Sequence, residues 1–241
     1  MVDTSERGTL TRRGPFFLMA ATFLERYIGY GKPYLVGFGF PNERAMKVAE
    51  RLGLYAEVGH MTEFSWGTRT RFPLWGTRLN LIGREQADFA ATAADQCWQN
   101  MAADLQTAII GVRDWQYLLN RYLDHPNQQY QIMLVRNRFS KHARGILVLR
   151  YDPEGCEIID LIAPLAEIPL LITHARRLAG MHGARRVFCR ITANFSGYFA
   201  VAGGTQRTVN IHIPANAWSN GPSPKILKDH WWLMSGDKDF R

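Results

Sequence analysis

The chain has 241 residues, 46% of them apolar and 12% aromatic, enough to fill one large or two modest cores, which excludes an intrinsically disordered polymer. The net charge of +8 favours anionic partners, but the basic residues are scattered in doublets (Arg12-Arg13, Arg176-Arg177, Arg185-Arg186) without a nucleic-acid motif, so no specific nucleic-acid partner is expected. No run approaches the roughly 20 apolar residues of a membrane span, and Met1–Arg7 lacks the basic-then-apolar order of a secretory signal; the expectation is a cytoplasmic protein with no membrane partner.

In chain order, the first feature is a loop carrying Arg7, Gly8, Arg12, Arg13 and Gly14. It leads into an apolar-periodic helix over Phe16–Ile28, with Pro15 in its first turn. Backbone N–H groups at such a helix start, reinforced by the helix dipole, form an anion site suited to a pyrophosphate, and Arg12 and Arg13 read either as phosphate contacts or as solvated charges. A short strand (Tyr34–Phe38) follows, then a helix started by Asn42 and running to Leu52. Asn42 reads equally as a plain N-cap or as a ligand contact. A strand then closes on Trp66, and Gly67–Gly76, with Gly and Pro near its ends, reads as a linker.

The second stretch starts with a strand at Arg78–Ile82 and a helical region over Gln86–Leu123, broken at Gly111. Strands at Tyr130–Arg136, Gly145–Tyr151 and Cys156–Ile162 are joined by hairpin-like connections. Next come a helix (Ile168–Ala179), a strand (Arg186–Ile191), an Asn-started helix (Asn194–Ala202) and a strand closing on Trp218. This order implies an α/β fold of α+β type, a mixed sheet flanked by helices. Cys97, Cys156 and Cys189, an odd number at wide spacing, read as reduced thiols in or near the core and form no metal pattern.

The chain also matches itself. Gly31 and Gly183, Asn42 and Asn194, His60 and His212, and Trp66 and Trp218 all pair at one separation, 152 positions (183 less 31), without a gap. The order of elements around these anchors agrees. The pattern predicts a first domain represented by its C-terminal half (residues 1–67), a linker (68–77) and a second, degenerate domain (78–241). The matching first unit is expected to begin about 75 residues before Met1. Its sheet would then be completed by the second copy or by another subunit of a homo-oligomer.

Val2 with Arg7-Gly8 before a helix resembles the coenzyme A loop of the GNAT (Gcn5-related N-acetyltransferase) superfamily. Pro41 through Leu54 resembles its second signature, an Asn-started helix running into a Leu-Gly turn. Asp114–Pro126 and Trp231–Phe240 resemble segments of tandem members of that family. The resemblance implies an acyl-CoA N-acyltransferase (GNAT) fold, one complete copy plus the C-terminal half of another. It implies acetyl-CoA or CoA as cosubstrate, with no metal, bound by Val2, Arg7, Gly8, Gly14 and Asn42, and an amine of unknown identity as acceptor. Three departures stand out. The interval from Arg7 to Gly14 is longer than the family's loop, Ala49 occupies the place of the tyrosine that protonates the leaving thiolate, and the second copy's loop, Ala163–Pro169, has neither glycine nor arginine and carries Glu167. Tyr55 just beyond the turn reads as packing, and His60 and His212 as shared architecture, so no catalytic acid or base is assigned. Two functions follow: acyl transfer from acetyl-CoA or a related thioester to an amine, with turnover by this chain in doubt, or a non-catalytic GNAT-fold binding or assembly module.

Overall fold

The computed structural model describes residues 12, 14–70, 75–140 and 142–238. The chain divides into two compact units. Unit 1 takes the described residues up to 61 together with Thr192–Asn194 and Thr208–Trp231, and unit 2 takes Thr62–Ile191, Phe195–Arg207 and the described residues from 232 on.

In unit 1, helix α1 (Pro15–Tyr27) presents Phe17, Ala21, Leu24 and Ile28 along one stripe, at the spacing that brings residues onto one face of a helix. Leu52 and Leu54 complete this small core. Helix α2 (Glu43–Leu52) begins at Asn42, whose side-chain oxygen accepts the Ala45 N–H at 3.0 Å. It ends at Gly53, where φ is +73°. A side chain there would be strained, and the Leu54 N–H reaches back to the Ala49 carbonyl at 3.1 Å, closing the last turn. The expected strand at Tyr34–Phe38 exists only as two isolated bridges, Tyr34 with Ile28 and Phe38 with Ala215. Gly37 and Gly39 punctuate that apolar run, and the Gly37 N–H goes to the Asn216 side chain at 2.9 Å rather than to a ladder.

Unit 2 is built on a seven-stranded sheet among the described residues, in the order β2-β3-β4-β5-β6-β1-β7. The strands are β1 (Tyr55–Gly67), β2 (Thr77–Leu81), β3 (Gln131–Asn137), β4 (Ala143–Asp152), β5 (Gly155–Ile162), β6 (Arg186–Thr192) and β7 (Thr205–Asn216). The first 61 residues hold the beginning of β1, and residues from 208 the end of β7, so both strands are shared with unit 1 by residue. β2 through β5 form an antiparallel meander, and β5 pairs with β6 in parallel, which requires a crossover. That crossover is helix α5 (Ile168–Met181), whose buried face carries Ile168, Leu171, Ile172, Ala175, Leu178 and Ala179.

Helix α3 (Ala87–Asp104) ends well before Gly111. Ile109-Ile110, a β-branched pair that favours extended backbone, is used instead to accept the Trp232 N–H on the Ile109 carbonyl at 2.9 Å. A short helix, α4 (Trp115–Leu118), then continues as a π-type turn over Leu119–Leu123. The predicted helix at Asn194 is a 3-10 turn (Ala193–Phe195) followed by the brief α6 (Ser196–Ala200). The Asn194 side-chain amide donates to the Asp229 carbonyl at 2.8 Å. Gly31 and Gly183, paired in the internal match, both have left-handed backbone, with φ of +70° and +75°. Cys97, Cys156 and Cys189 are free and buried; burial pushes the Cys97 and Cys156 thiols up to about 12, which keeps them protonated and unreactive.

Candidate functional site

Of the residues implicated by sequence, Val2, Arg7, Gly8 and Arg13 lie outside the described residues, while Arg12, Gly14 and Asn42 are described. Gly14 is the N-cap of α1 and Pro15 its first residue; among the described residues no side chain caps this helix, and no acidic residue stands in its first turn. Arg12 is exposed, with its guanidinium 5.8 Å above the Trp218 ring. A Cβ on Gly53 would lie 3.0 Å from an Arg12 nitrogen, so this cation also rests against the C-terminal end of α2, where the helix dipole favours it. Asn42 uses its side-chain oxygen as a cap, which leaves the amide NH2 of the same group for another partner. Along the neighbouring face of α2 runs an open groove of 380 Å³ lined by Glu43, Arg44, Lys47, Val48 and Arg51. Tyr55 packs against the unit 1 core, and burial raises its phenol above the usual range.

The start of α5, in unit 2, is furnished differently. Residues Leu165–Glu167 form a 3-10 turn leading directly into α5. The Leu165 N–H donates to an Asp104 carboxylate oxygen at 2.8 Å, and the Glu167 carboxylate pairs with Arg144 at 2.6 Å. Two carboxylates of the chain thus stand at the 3-10 turn before α5, while α5 itself has, among the described residues, no side-chain cap and no acid in its first turn.

Between β5 and β6 lies the second feature of unit 2. These strands pair at three positions, Cys156 with Val187, Glu157 with Phe188 and Ile158 with Cys189. On its other side β5 carries an irregularity: Ile158 faces Leu149 and Asp160 faces Val148, so Ile159 is an extra residue in the ladder. Two acids of β5, Glu157 and Asp160, are wholly buried. Asp160 accepts from Tyr122 at 2.8 Å, from Tyr117 at 3.0 Å and from Arg113 Nε at 3.1 Å. Arg113 also donates to Asp237 at 2.6 Å. Burial opposes the Arg113 charge, but Asp160 and then Asp237 outweigh it and hold the guanidinium protonated. Burial pushes the Asp237 carboxyl up against the pull of Arg113, and the same burial raises both tyrosines. Glu157 accepts from Ser235 at 2.6 Å, from Arg150 at 2.9 Å and from Arg190 at 3.3 Å. Arg190 and Arg207 both reach the buried Glu63, so charges alternate in sign from β4 to β7 across the sheet.

Sequence reading did not single out this network. One signal was available: two acids inside an otherwise apolar strand must find buried partners, because an unpaired buried carboxylate is strongly disfavoured. Among the described residues no group of His, Cys, Asp and Glu could hold a metal ion, and no helix is long and apolar enough to cross a membrane.

No protein-family model matches this sequence, and no curated protein matches it. Solved structures do. A GCN5-related N-acetyltransferase from Sphaerobacter thermophilus superposes with a TM-score of 0.51 at 13% identity, over 78% of this chain and 61% of that one. Another from Kribbella flavida gives 0.50 at 15% identity, over 77% of this chain and 44% of its own. The chain thus spans about half the length of such structures. With its mixed seven-stranded sheet, in which β5 pairs in parallel with β6 through the α5 crossover, it has the fold of the GCN5-related N-acetyltransferases.

Proposed function

We propose that the chain binds an acyl-CoA through unit 1 and takes part in acyl transfer to an amine. The observation that supports this best is the start of α1, a 13-residue helix with no side-chain cap among the described residues and no acid in its first turn, which Arg12 precedes in the chain. Its first amides and the arginines before it match the phosphates of the coenzyme in charge and hydrogen-bonding sense. In this reading Arg7, Arg12 and Arg13 meet phosphate oxygens, while Gly8 and Gly14 let the backbone approach closely. The free amide of Asn42 donates to a carbonyl of the pantetheine arm. The coenzyme supplies an activated thioester, and the amine must attack in its neutral form, which an arginine-rich surface favours by raising the cost of ammonium. No side chain is assigned as acid or base. The domain arrangement read from the repeat, residues 1–67 as half of a first copy and 78–241 as a second, belongs to the same proposal.

Titration calorimetry with acetyl-CoA and with CoA tests it. The full chain is expected to bind both, and charge reversal at Arg12 and Arg13 to weaken binding at least about tenfold, the effect of losing one charge-assisted hydrogen bond. Absence of binding at millimolar coenzyme overturns the reading. For unit 2 a specific observation favours the alternative, a non-catalytic module: carboxylates occupy the start of α5.

A further inference from the structure

The splay between β5 and β6 is an opening that the chain fills with itself. Two parallel strands that pair at three positions and then separate leave backbone groups of both strands facing a gap. An extended chain with its own amides satisfies such edges, the mode by which sheets take up added strands. Met234 forms an antiparallel bridge with Ile191 of β6. Ser235–Asp237 then turn as a 3-10 helix against β5. Gly236 lies over the extra residue of β5, where a Cβ would come 2.1 Å from the Tyr122 hydroxyl and 3.3 Å from the Ile159 carbonyl oxygen, so only glycine fits. Met234, Ser235 and Gly236 are buried.

The fixings are specific and mostly polar. The Ser235 hydroxyl donates to Glu157 at 2.6 Å, Asp237 accepts from Arg113 at 2.6 Å and from the Met234 N–H at 2.8 Å, and Arg121 donates to the Gly236 carbonyl at 2.6 Å and to the Lys238 carbonyl at 3.1 Å. These partners lie on β5, on the π-type continuation of α4, and on the loop before α4. A segment that merely trailed over the surface would not engage a fully buried arginine.

We propose that Met234–Lys238 is an intramolecular plug: it fills the gap left where β5 and β6 part and keeps that gap closed to any other chain. The proposal concerns unit 2 alone and stands or falls independently of coenzyme binding at α1. It also accounts for the acids at the start of α5, since a cleft held by its own backbone has no use for a phosphate site.

The test is complementation in trans, with no coenzyme in any arm. A chain ending at Leu233 is titrated with a synthetic peptide of the sequence Met234–Lys238. The truncated chain is expected to bind the peptide one to one and to recover thermal midpoint on binding, while the full chain binds none; a peptide with the Asp237→Asn change is expected to bind at least tenfold more weakly. A folded truncated chain that ignores the peptide, or a full chain that binds it equally well, overturns the proposal. If the truncated chain does not fold, full-length Gly236→Ala is read by amide hydrogen exchange. Protection at Met234 and Asp237 is expected to fall about a hundredfold while β4 and β5 keep theirs. Unchanged protection, or an equal fall throughout β4 and β5, counts against a separable plug.

Discussion

The starts of α1 and α5 differ in the groups that surround them. At α1 the N-cap is Gly14, the first turn holds no acid, and Arg12 stands two residues earlier in the chain. At α5 the N-cap is Glu167, and Asp104 receives the Leu165 amide. A helix start carries partial positive charge whatever its sequence, so the difference lies in who neutralises it. In unit 2 the chain does so itself, and the same economy runs through its interior: each acid of β5 is met by an arginine, a hydroxyl or both. Self-satisfaction makes a stable framework and a poor receptor, while an unsatisfied start makes the reverse.

Breaking the buried charges of unit 2 should give the largest loss. Arg113→Met leaves Asp160 and Asp237 without their shared cation, and removing one partner of a buried pair typically costs about 3–5 kcal/mol. Urea unfolding is the measurement, and a loss below about 1 kcal/mol would show that the network is not structural. His174, buried on α5, comes next. Its Nε2 meets the Thr77 hydroxyl at 2.9 Å, and burial lowers its pKa from 6.5 to about 4, with Arg177 adding to the shift. A depressed histidine favours the folded state while neutral. Its contribution is therefore fully present above pH 6.5 and is lost as pH falls toward 4, by about 3 kcal/mol at the limit. His174→Gln, which cannot titrate, should flatten the stability profile over that window; an unchanged slope would place the titration elsewhere.

These features differ in how far sequence exposes them. Helices α1, α2 and α5 and strands β3–β6 are legible because their apolar spacing is regular and their ends carry glycine or asparagine. The Tyr34–Phe38 segment has the apolar run of a strand without its ladder, because glycines interrupt it and Asn216, distant in sequence, takes its amide. Arg113, Tyr117, Tyr122, Asp160 and Asp237 form one network from three separate stretches of chain. No local pattern announces a network of that kind. Each residue reads alone as a solvated polar group, and only the fold shows that it is buried. The plug is hidden for the same reason, since Met234–Lys238 has no periodicity and takes its form from the cleft.

Smaller effects sharpen the contrast at the helix starts. Asp104→Ala strands the Leu165 amide and should cost about 1–2 kcal/mol, the usual consequence of an unmet buried donor; Leu165 is the residue to follow by amide exchange. Asn42→Ala should cost about 1 kcal/mol through the lost cap of α2. Asn42→Ser separates the two uses of this residue. Serine retains the cap but has no amide, so stability should stay near that of the parent, while affinity for acetyl-CoA falls up to about tenfold if the amide serves the ligand. Equal affinity in the two proteins would reduce Asn42 to a cap.

Arg12→Ala carries the smallest stability change and the sharpest test of the difference between the units. Its guanidinium is exposed, and what it loses is the Trp218 face and the end of α2, together worth about 0.5 kcal/mol in water. Urea midpoints should barely move. Coenzyme affinity should drop about tenfold at low salt, and the drop should shrink as ionic strength rises and screens the remaining charges. If Arg12→Ala leaves affinity and its salt dependence untouched, the two helix starts differ only in decoration, and the electrostatic contrast between the units has no bearing on ligand binding.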